Sequence, residues 1–103
     1  MIHIASEEMK MILDILSVHA EDCDVFVFGS RYNQSPKKFS DLDLAFVQKN
    51  GEKLGLSRKT KIEWAFSESD LPYLVDVVDY HACDSSFRKI IDSHCQKIYS
   101  MEA

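Results

Sequence analysis

The sequence has 103 residues, 46% of them hydrophobic, and a formal net charge of -5 at pH 7. This length fits one domain, residues 1–103, with a small core. The acidic balance argues against a general nucleic-acid binder, which would present a basic face. No apolar run approaches the length of a membrane span, and Glu7 and Glu8 stand where a signal peptide would need basic and then apolar residues. We therefore expect a cytoplasmic protein that does not enter a membrane.

The three cysteines, Cys23, Cys83 and Cys95, are an odd number without the spacing of a disulfide framework. They are typical of reduced thiols in a reducing compartment. His81 and His94 lie close to two of them in the sequence, but neither pairing has the spacing of a structural zinc site. Zinc is therefore not expected.

The first half of the chain predicts a helix followed by two strands. Apolar residues recur at helical spacing over residues 6–20, with Ser6 as a candidate N-cap and two glutamates in the first turn. Residues 25–28 form a continuous β-prone run, typical of a strand buried on both faces. Residues 31–40 are polar and predict a surface connection. Leu42, Leu44 and Phe46 then alternate with other residues, which predicts a strand with one apolar face.

The second half predicts a helix over residues 57–67, a strand over residues 74–80 and a last helix that Asp84 or Ser85 caps. The apolar positions of that last helix would be Phe87, Ile90, Ile91, Cys95, Ile98 and Tyr99. The resulting fold class is α/β, with helices packed on a three-stranded sheet.

Three aspartates form the most informative pattern. Asp41 and Asp43 are two residues apart at the start of a strand, so both project from one face while Leu42 and Leu44 point to the other. Paired carboxylates repel each other unless a cation lies between them, and magnesium favours one or two carboxylates together with substrate phosphates. Asp76, inside an apolar strand, needs such a partner as well. Most isolated D-x-D pairs are solvated, and the nearby Asp79 is best interpreted as an exposed residue at a strand end.

Gly29 and Ser30, directly after the first strand, strengthen this interpretation. Glycine allows a backbone to approach a phosphate closely, and serine adds a hydroxyl and an N–H group. A short helix that began here would direct free N–H groups at the β- and γ-phosphates of a nucleotide.

These motifs carry a resemblance that covers nearly the whole chain. F-G-S-R at residues 28–31, D-L-D-L at residues 41–44 and V-D-V-V-D at residues 75–79 resemble the signature of the polymerase-β-type nucleotidyltransferases. Within that superfamily the chain is similar to the minimal nucleotidyltransferases. The resemblance implies a small nucleotidyltransferase fold with a mixed three-stranded sheet.

The resemblance also implies roles for the motif residues. Gly29, Ser30 and Arg31 would bind the triphosphate of ATP, and Asp41, Asp43 and Asp76 would form the catalytic and metal site for two Mg²⁺ ions. Asp76 would help to deprotonate the attacking hydroxyl. Many minimal members read G-S-R-A-R-G where residues 29–34 here read G-S-R-Y-N-Q, a change that bears on substrate affinity. Lys37 and Lys38 are weaker candidates for phosphate contacts and fit a solvated loop better.

The resemblance further implies a helical partner protein of the HEPN type, a toxin for which this chain is the antitoxin that adenylylates it. A nucleoside triphosphate would be the substrate, and nucleic acid is not expected as a stable direct ligand. The alternative is a non-catalytic antitoxin that acts by contact alone. Aminoglycoside nucleotidyltransferases are a third possibility, but they carry an added helical domain. Trp64, Tyr73 and Tyr80 could stack on a base, although their context favours core or interface positions.

Overall fold

A computed structural model describes residues 2–33 and 40–100. Lys37 and Lys38 of the polar connection lie outside these residues. Short loops join the helices and strands, and a 3-10 turn, Tyr80–Ala82, follows the third strand. In chain order the elements are α1 (Ser6–His19), β1 (Cys23–Phe28), α2 (Ser30–Asn33), β2 (Leu42–Gln48), α3 (Leu56–Ser67), β3 (Val75–Asp79), α4 (Ser85–Ser93) and β4 (Cys95–Tyr99).

The four strands form one mixed sheet in the order β3-β2-β1-β4. Strand β1 pairs antiparallel with β2 and β4, whereas β2 and β3 are parallel. The parallel pair is joined through α3, as a crossover connection requires. Because β1 has a neighbour on both edges, its apolar run is enclosed, and Val25, Val27 and Phe28 are buried.

The two faces of the sheet are covered unequally. The larger core lies under α1 and α3, where Ile12, Leu16, Ile62 and Phe66 pack against alternate residues of the strands. The opposite face carries a small cluster around Phe28, Ala45 and Ile91, the last of these from α4. Strand side chains alternate between faces, so Asp43 and Asp76 belong to this thinly covered face. The sheet residues of the larger core are Val25, Val27, Leu42, Leu44, Phe46 and Val77.

The expectation of a three-stranded sheet and of a last helix reaching Tyr99 is wrong. The helix ends at Ser93, and Cys95–Tyr99 forms a fourth strand along β1. Without this strand the backbone groups on one edge of β1 would lack partners, which is costly in a strand so apolar. The predicted cap is confirmed, since the Asp84 carboxylate accepts a hydrogen bond from the Phe87 amide at 2.8 Å.

Asp79 attaches the loop before α3 to the sheet. Its Oδ2 accepts hydrogen bonds from the backbone amides of Leu54, at 2.8 Å, and Gly55, at 3.3 Å. Asp79 is half-buried, so the expectation of an exposed residue is wrong. The carboxylate satisfies amides that would otherwise lack partners just before the first turn of α3.

A second polar cluster lies at the opposite end of the strands from the three aspartates. The Arg58 guanidinium pairs with Asp22 and donates to Gln48 Oε1 at 2.9 Å and to the His19 carbonyl at 3.2 Å. The hydrogen bond from Arg58 holds the pKa of Asp22 below its ordinary value. This cluster connects α1, β1, β2 and α3. Within residues 2–33 and 40–100, no helix has both the length and the apolar character needed to cross a bilayer.

Candidate active site

Asp43 and Asp76 are direct neighbours in the sheet. They are register partners in the parallel pairing of β2 with β3, so their side chains leave the same face side by side. Asp41 precedes β2 by one residue and is exposed at the rim. The fold therefore brings together the two carboxylates that are distant in sequence and leaves the third at the edge of the same site.

The electrostatics of this pair are unfavourable without a cation. Burial raises the pKa of Asp43 to about 6, and the negative charges of Asp76 and Asp41 add to the shift. Because the pKa of Asp43 lies above its ordinary value, its ionised form is held in place by the fold at a cost in free energy. A bound cation would remove this cost.

The donor set fits a magnesium ion in part. Among residues 2–33 and 40–100, no group of three or more His, Cys, Asp or Glu side chains is arranged to hold a metal ion. Magnesium, however, is commonly held by one or two carboxylates with substrate phosphates and water completing its shell. Asp43 and Asp76 satisfy that smaller requirement, while the three-aspartate centre stays a prediction.

Gly29 is required by the shape of this site. Its φ is 74°, which side-chain-bearing residues rarely adopt, and a Cβ atom placed there would overlap Oδ2 of Asp43. Phe28, the preceding residue, is the register partner of Asp43 across β1 and β2. The Gly29 backbone therefore passes directly against the Asp43 carboxylate, which places Gly29 and Ser30 at the site.

Replacing Gly29 with alanine is expected to destabilise the fold by roughly 2–4 kcal/mol, because strain at positive φ and the overlap with Asp43 act together. Gly51→Ala is the matched control, since Gly51 has a φ of 79° and open space around it. That variant should lose only the strain component, roughly 1 kcal/mol. Urea unfolding of both variants measures the difference, and equal losses would show that contact with Asp43 does not matter.

Arg31 is buried and makes several contacts inside the protein. It is 5% exposed. Its guanidinium donates to the carbonyls of Ser40, at 2.9 Å, and His3, at 3.0 Å, and lies 3.7 Å from the ring centroid of Tyr73. These contacts hold the chain just before Asp41, and the phosphate contact of Arg31 stays a prediction.

Tyr73 connects Arg31 to Glu8 in a buried network of side chains that the sequence did not reveal. Its hydroxyl donates to Glu8 Oε1 at 2.9 Å, and the same Glu8 oxygen accepts from the Ala5 amide at the start of α1. Burial and the bond to Glu8 raise the pKa of Tyr73. Ser6, the predicted cap, is the first helical residue, and Ala5 precedes it. Tyr73 is thus a core residue.

The other two aromatic candidates lie elsewhere on the molecule. Trp64 is 65% exposed on the outer side of α3, so it is not a core residue. The Tyr80 hydroxyl donates a hydrogen bond to the carboxylate of Asp92 at 3.0 Å. Tyr80 directly follows the last residue of β3. Trp64 lies on the helix that covers the opposite face of the sheet from Asp43, and the Tyr80 hydroxyl is bonded to Asp92, so these positions give no support to base stacking at the site.

Comparison with known proteins identifies the class of protein that this fold and site define. Residues 10–103 match the family model described as polymerase beta, nucleotidyltransferase. The chain therefore belongs to the polymerase β-type nucleotidyltransferase family. It is 41% identical over 96 residues to the probable protein adenylyltransferase MntA of Haemophilus influenzae, an alignment that covers 93% of this chain and 79% of that protein.

Solved structures of toxin–antitoxin complexes share the fold. One, a toxin–antitoxin with AMP-PNP, matches with a TM-score of 0.75 and 17% identity over 91% of this chain and 74% of the matched chain. Another, the tri-AMPylated Shewanella oneidensis HEPN toxin in complex with MNT antitoxin, matches with a TM-score of 0.66 and 16% identity over 89% of this chain and 69% of the matched chain. At these identities the similarity shows a common α/β nucleotidyltransferase fold.

Proposed function

We propose that this chain is a magnesium-dependent protein adenylyltransferase. It transfers AMP from ATP to a hydroxyl group on a helical partner of the HEPN type, for which it is the antitoxin. The proposal rests on the position of Asp43, which is the neighbour of Asp76 in the sheet and has its carboxylate against the backbone of Gly29. The 41% identity to a probable protein adenylyltransferase supports the choice of a protein acceptor.

The proposed roles follow from where the residues lie. Gly29 and Ser30 receive the triphosphate, because they adjoin Asp43 and offer a close backbone approach. Asp41, Asp43 and Asp76 would hold two Mg²⁺ ions, which would supply positive charge to the phosphates. Arg31 keeps Ser40, and hence the neighbouring Asp41, in place.

The reaction is an in-line displacement at the α-phosphorus of ATP. The acceptor oxygen forms a bond to this phosphorus while the bond to the bridging oxygen of the β-phosphate breaks, and pyrophosphate leaves. Asp76, on the side of the site away from Gly29, takes the hydroxyl proton. The products are an adenylylated hydroxyl and pyrophosphate.

Asp76→Ala tests this function. Nucleotide transfer should be lost, while the fold is retained because Asp76 is exposed. Mass spectrometry of the protein encoded next to this chain, after incubation with ATP and magnesium, should show added AMP on tyrosine, serine or threonine with the wild-type chain only. Asp14→Ala, at an exposed acidic position of α1, is the matched control and should transfer normally. A partner that is never modified, yet is neutralised equally well by Asp76→Ala, would establish the contact-only antitoxin instead.

We also propose a cytoplasmic location. Cys23, Cys83 and Cys95 are all free thiols, as a reducing compartment allows.

A further inference from the structure

A surface cleft of about 580 Å³ lies between the end of α1 and the start of α3. Two of the side chains that line it, Leu54 and Ile62, are buried members of the larger core. Two others, Val18 and Leu56, have 71% and 79% of their surface exposed. The cleft therefore presents apolar side chains to solvent.

Trp64 extends this apolar surface along α3. Leu56, Thr60 and Trp64 are spaced by four residues and are all exposed, so they lie along one side of the helix. Lys61, which lines the cleft, is three residues before Trp64, and the two side chains are therefore neighbours on the helix. We call Val18, Leu56, Lys61 and Trp64 the α1–α3 surface.

The exposed apolar side chains of the protein are concentrated on this surface. Within residues 2–33 and 40–100, six large hydrophobic side chains are exposed, and Val18, Leu56 and Trp64 are three of them. Single exposed apolar residues are ordinary, whereas a group of them beside a cleft is typical of a binding surface. Tryptophan is also enriched at the positions that contribute most to the affinity of interfaces.

The segment around the cleft has the opposite charge to the whole protein. Residues 49–61 contain five basic residues and one acidic residue, whereas the chain has a net charge of -5. The five basic residues are Lys49, Lys53, Arg58, Lys59 and Lys61. Asp22 pairs with Arg58 and offsets its charge, but Lys61 is exposed at the cleft itself. This local positive charge is complementary to an acidic partner.

We infer that the α1–α3 surface binds an acidic segment of a partner protein, and that this segment carries a leucine or another aliphatic side chain. The aliphatic side chain enters the cleft between Val18 and Leu56, and the carboxylates beside it meet Lys61. Val18 and Leu56 favour a protein over a single-stranded nucleic acid, because bases stack on aromatic rings and guanidinium groups rather than on aliphatic side chains. The inference does not depend on nucleotide transfer.

This surface is remote from the proposed active site. Helices α1 and α3 cover the larger core, on the opposite face of the sheet from Asp43 and Asp76. Gln48, which accepts a hydrogen bond from Arg58, is five residues after Asp43 on β2, roughly 17 Å away along the strand. A partner bound here therefore leaves the two carboxylates open to a nucleotide.

Trp64 is the single tryptophan of the chain, so its fluorescence reports binding without a label. Two nine-residue peptides test the surface, in the absence of nucleotide and magnesium. Both have leucine at the centre, and paired glutamates on each side in one peptide are replaced by paired lysines in the other. We expect the glutamate peptide to shift the Trp64 emission to shorter wavelength and to bind at least tenfold more tightly than the lysine peptide, with affinity that falls as salt is added.

Leu56→Ser should weaken binding of the glutamate peptide roughly tenfold through the loss of apolar contact. Ile90→Ser is the matched control, because Ile90 is 61% exposed but lies on α4, against the other face of the sheet. Lys61→Glu should weaken binding at least tenfold, whereas Lys89→Glu, at an exposed position of α4, should not. All four side chains are exposed, so each variant should fold, and melting temperatures check this. Equal effects within either pair would overturn the inference.

The same fluorescence measurement distinguishes the other possible occupants. Equal binding of the two peptides would overturn the inference, and so would tighter binding of a twelve-nucleotide RNA or of anionic lipid vesicles than of the glutamate peptide. An emission that shifts with protein concentration alone would show that a second copy of this chain covers the surface instead. Loss of AMP transfer to the partner would contradict the proposed function but would leave peptide binding unchanged.

Discussion

Replacing Asp43 with asparagine is expected to lower nucleotide transfer at least a thousandfold while making the nucleotide-free protein more stable. Transfer falls because a metal-binding carboxylate contributes several kcal/mol of charge stabilisation in the transition state. Stability rises because the fold holds the ionised carboxylate at a cost, which burial and the charges of Asp76 and Asp41 cause. We expect a gain of about 1 kcal/mol, less than the full pKa shift would give, because the half-buried side chain is partly screened by solvent.

The pH dependence of this gain has a defined sign. Folding raises the pKa of Asp43 from 3.8 to about 6, so the folded state binds the proton more tightly than the unfolded state does. The contribution of Asp43 to stability is therefore fully present below pH 4 and is lost as the pH rises through 6. The asparagine side chain of the variant does not titrate. The two proteins should differ little at pH 4 and most above pH 7.

Thermal unfolding with EDTA, at several pH values between 4 and 8, measures this effect. Magnesium with ATP should raise the melting temperature of the wild type, since a ligand that binds only the native state stabilises it. The shift should be absent in Asp43→Asn. If that variant were less stable than the wild type at pH 8, the carboxylate would have a favourable partner, and the interpretation of this site as an uncompensated acidic pair would fail.

Replacing Arg31 with methionine is expected to lower the free energy of unfolding by roughly 2–4 kcal/mol. The change leaves the carbonyls of Ser40 and His3 without their donors and removes the cation from the face of Tyr73. Because Ser40 directly precedes Asp41, the rim of the active site should loosen as well. Transfer activity should therefore fall even under conditions in which the variant is fully folded.

Arg88→Met is the matched control for this variant. Arg88 donates to the carbonyls of Tyr80 and His81 and lies over the Tyr80 ring, 5.5 Å from its centroid. The kinds of contact are thus the same, but Arg88 is only half-buried and lies away from Asp41. Its loss should cost roughly 1 kcal/mol and leave transfer unchanged. Urea unfolding together with a transfer assay distinguishes the two variants, and a loss for Arg31→Met no larger than for Arg88→Met would rule out the structural role.

Local sequence patterns predicted the parts of this fold that depend on neighbours along the chain. The spacing of Ile12 and Leu16 identifies α1, the alternation around Asp43 identifies β2, and the Asp84 cap marks the start of α4. The same alternation places Asp43 and Asp76 on one face, because parity along a strand does not depend on tertiary contacts. The comparison with known proteins confirms the family that these motifs indicated.

Features that depend on distant partners could not be predicted. Ile98 and Tyr99 continue the helical spacing of α4, and no glycine or proline separates them from it, yet the open edge of β1 draws them into a strand. Arg31 stands in a motif typical of phosphate binding, and only the fold shows that Tyr73 and His3 surround it. Asp79 is likewise indistinguishable in sequence from a solvated aspartate, because its partners, Leu54 and Gly55, are distant in the chain.

The pairing of β1 with β4 bears on how the chain folds during synthesis. Val25 and Phe28 are made early, but their partners on one side, residues 95–99, are made some seventy positions later. Long-range pairing of this kind slows folding, since a large loop must close before any contact is gained. Until residues 95–99 leave the ribosome, one edge of the most apolar strand is open to other nascent chains. A chaperone that covers this edge would raise the yield of native protein without altering its final stability.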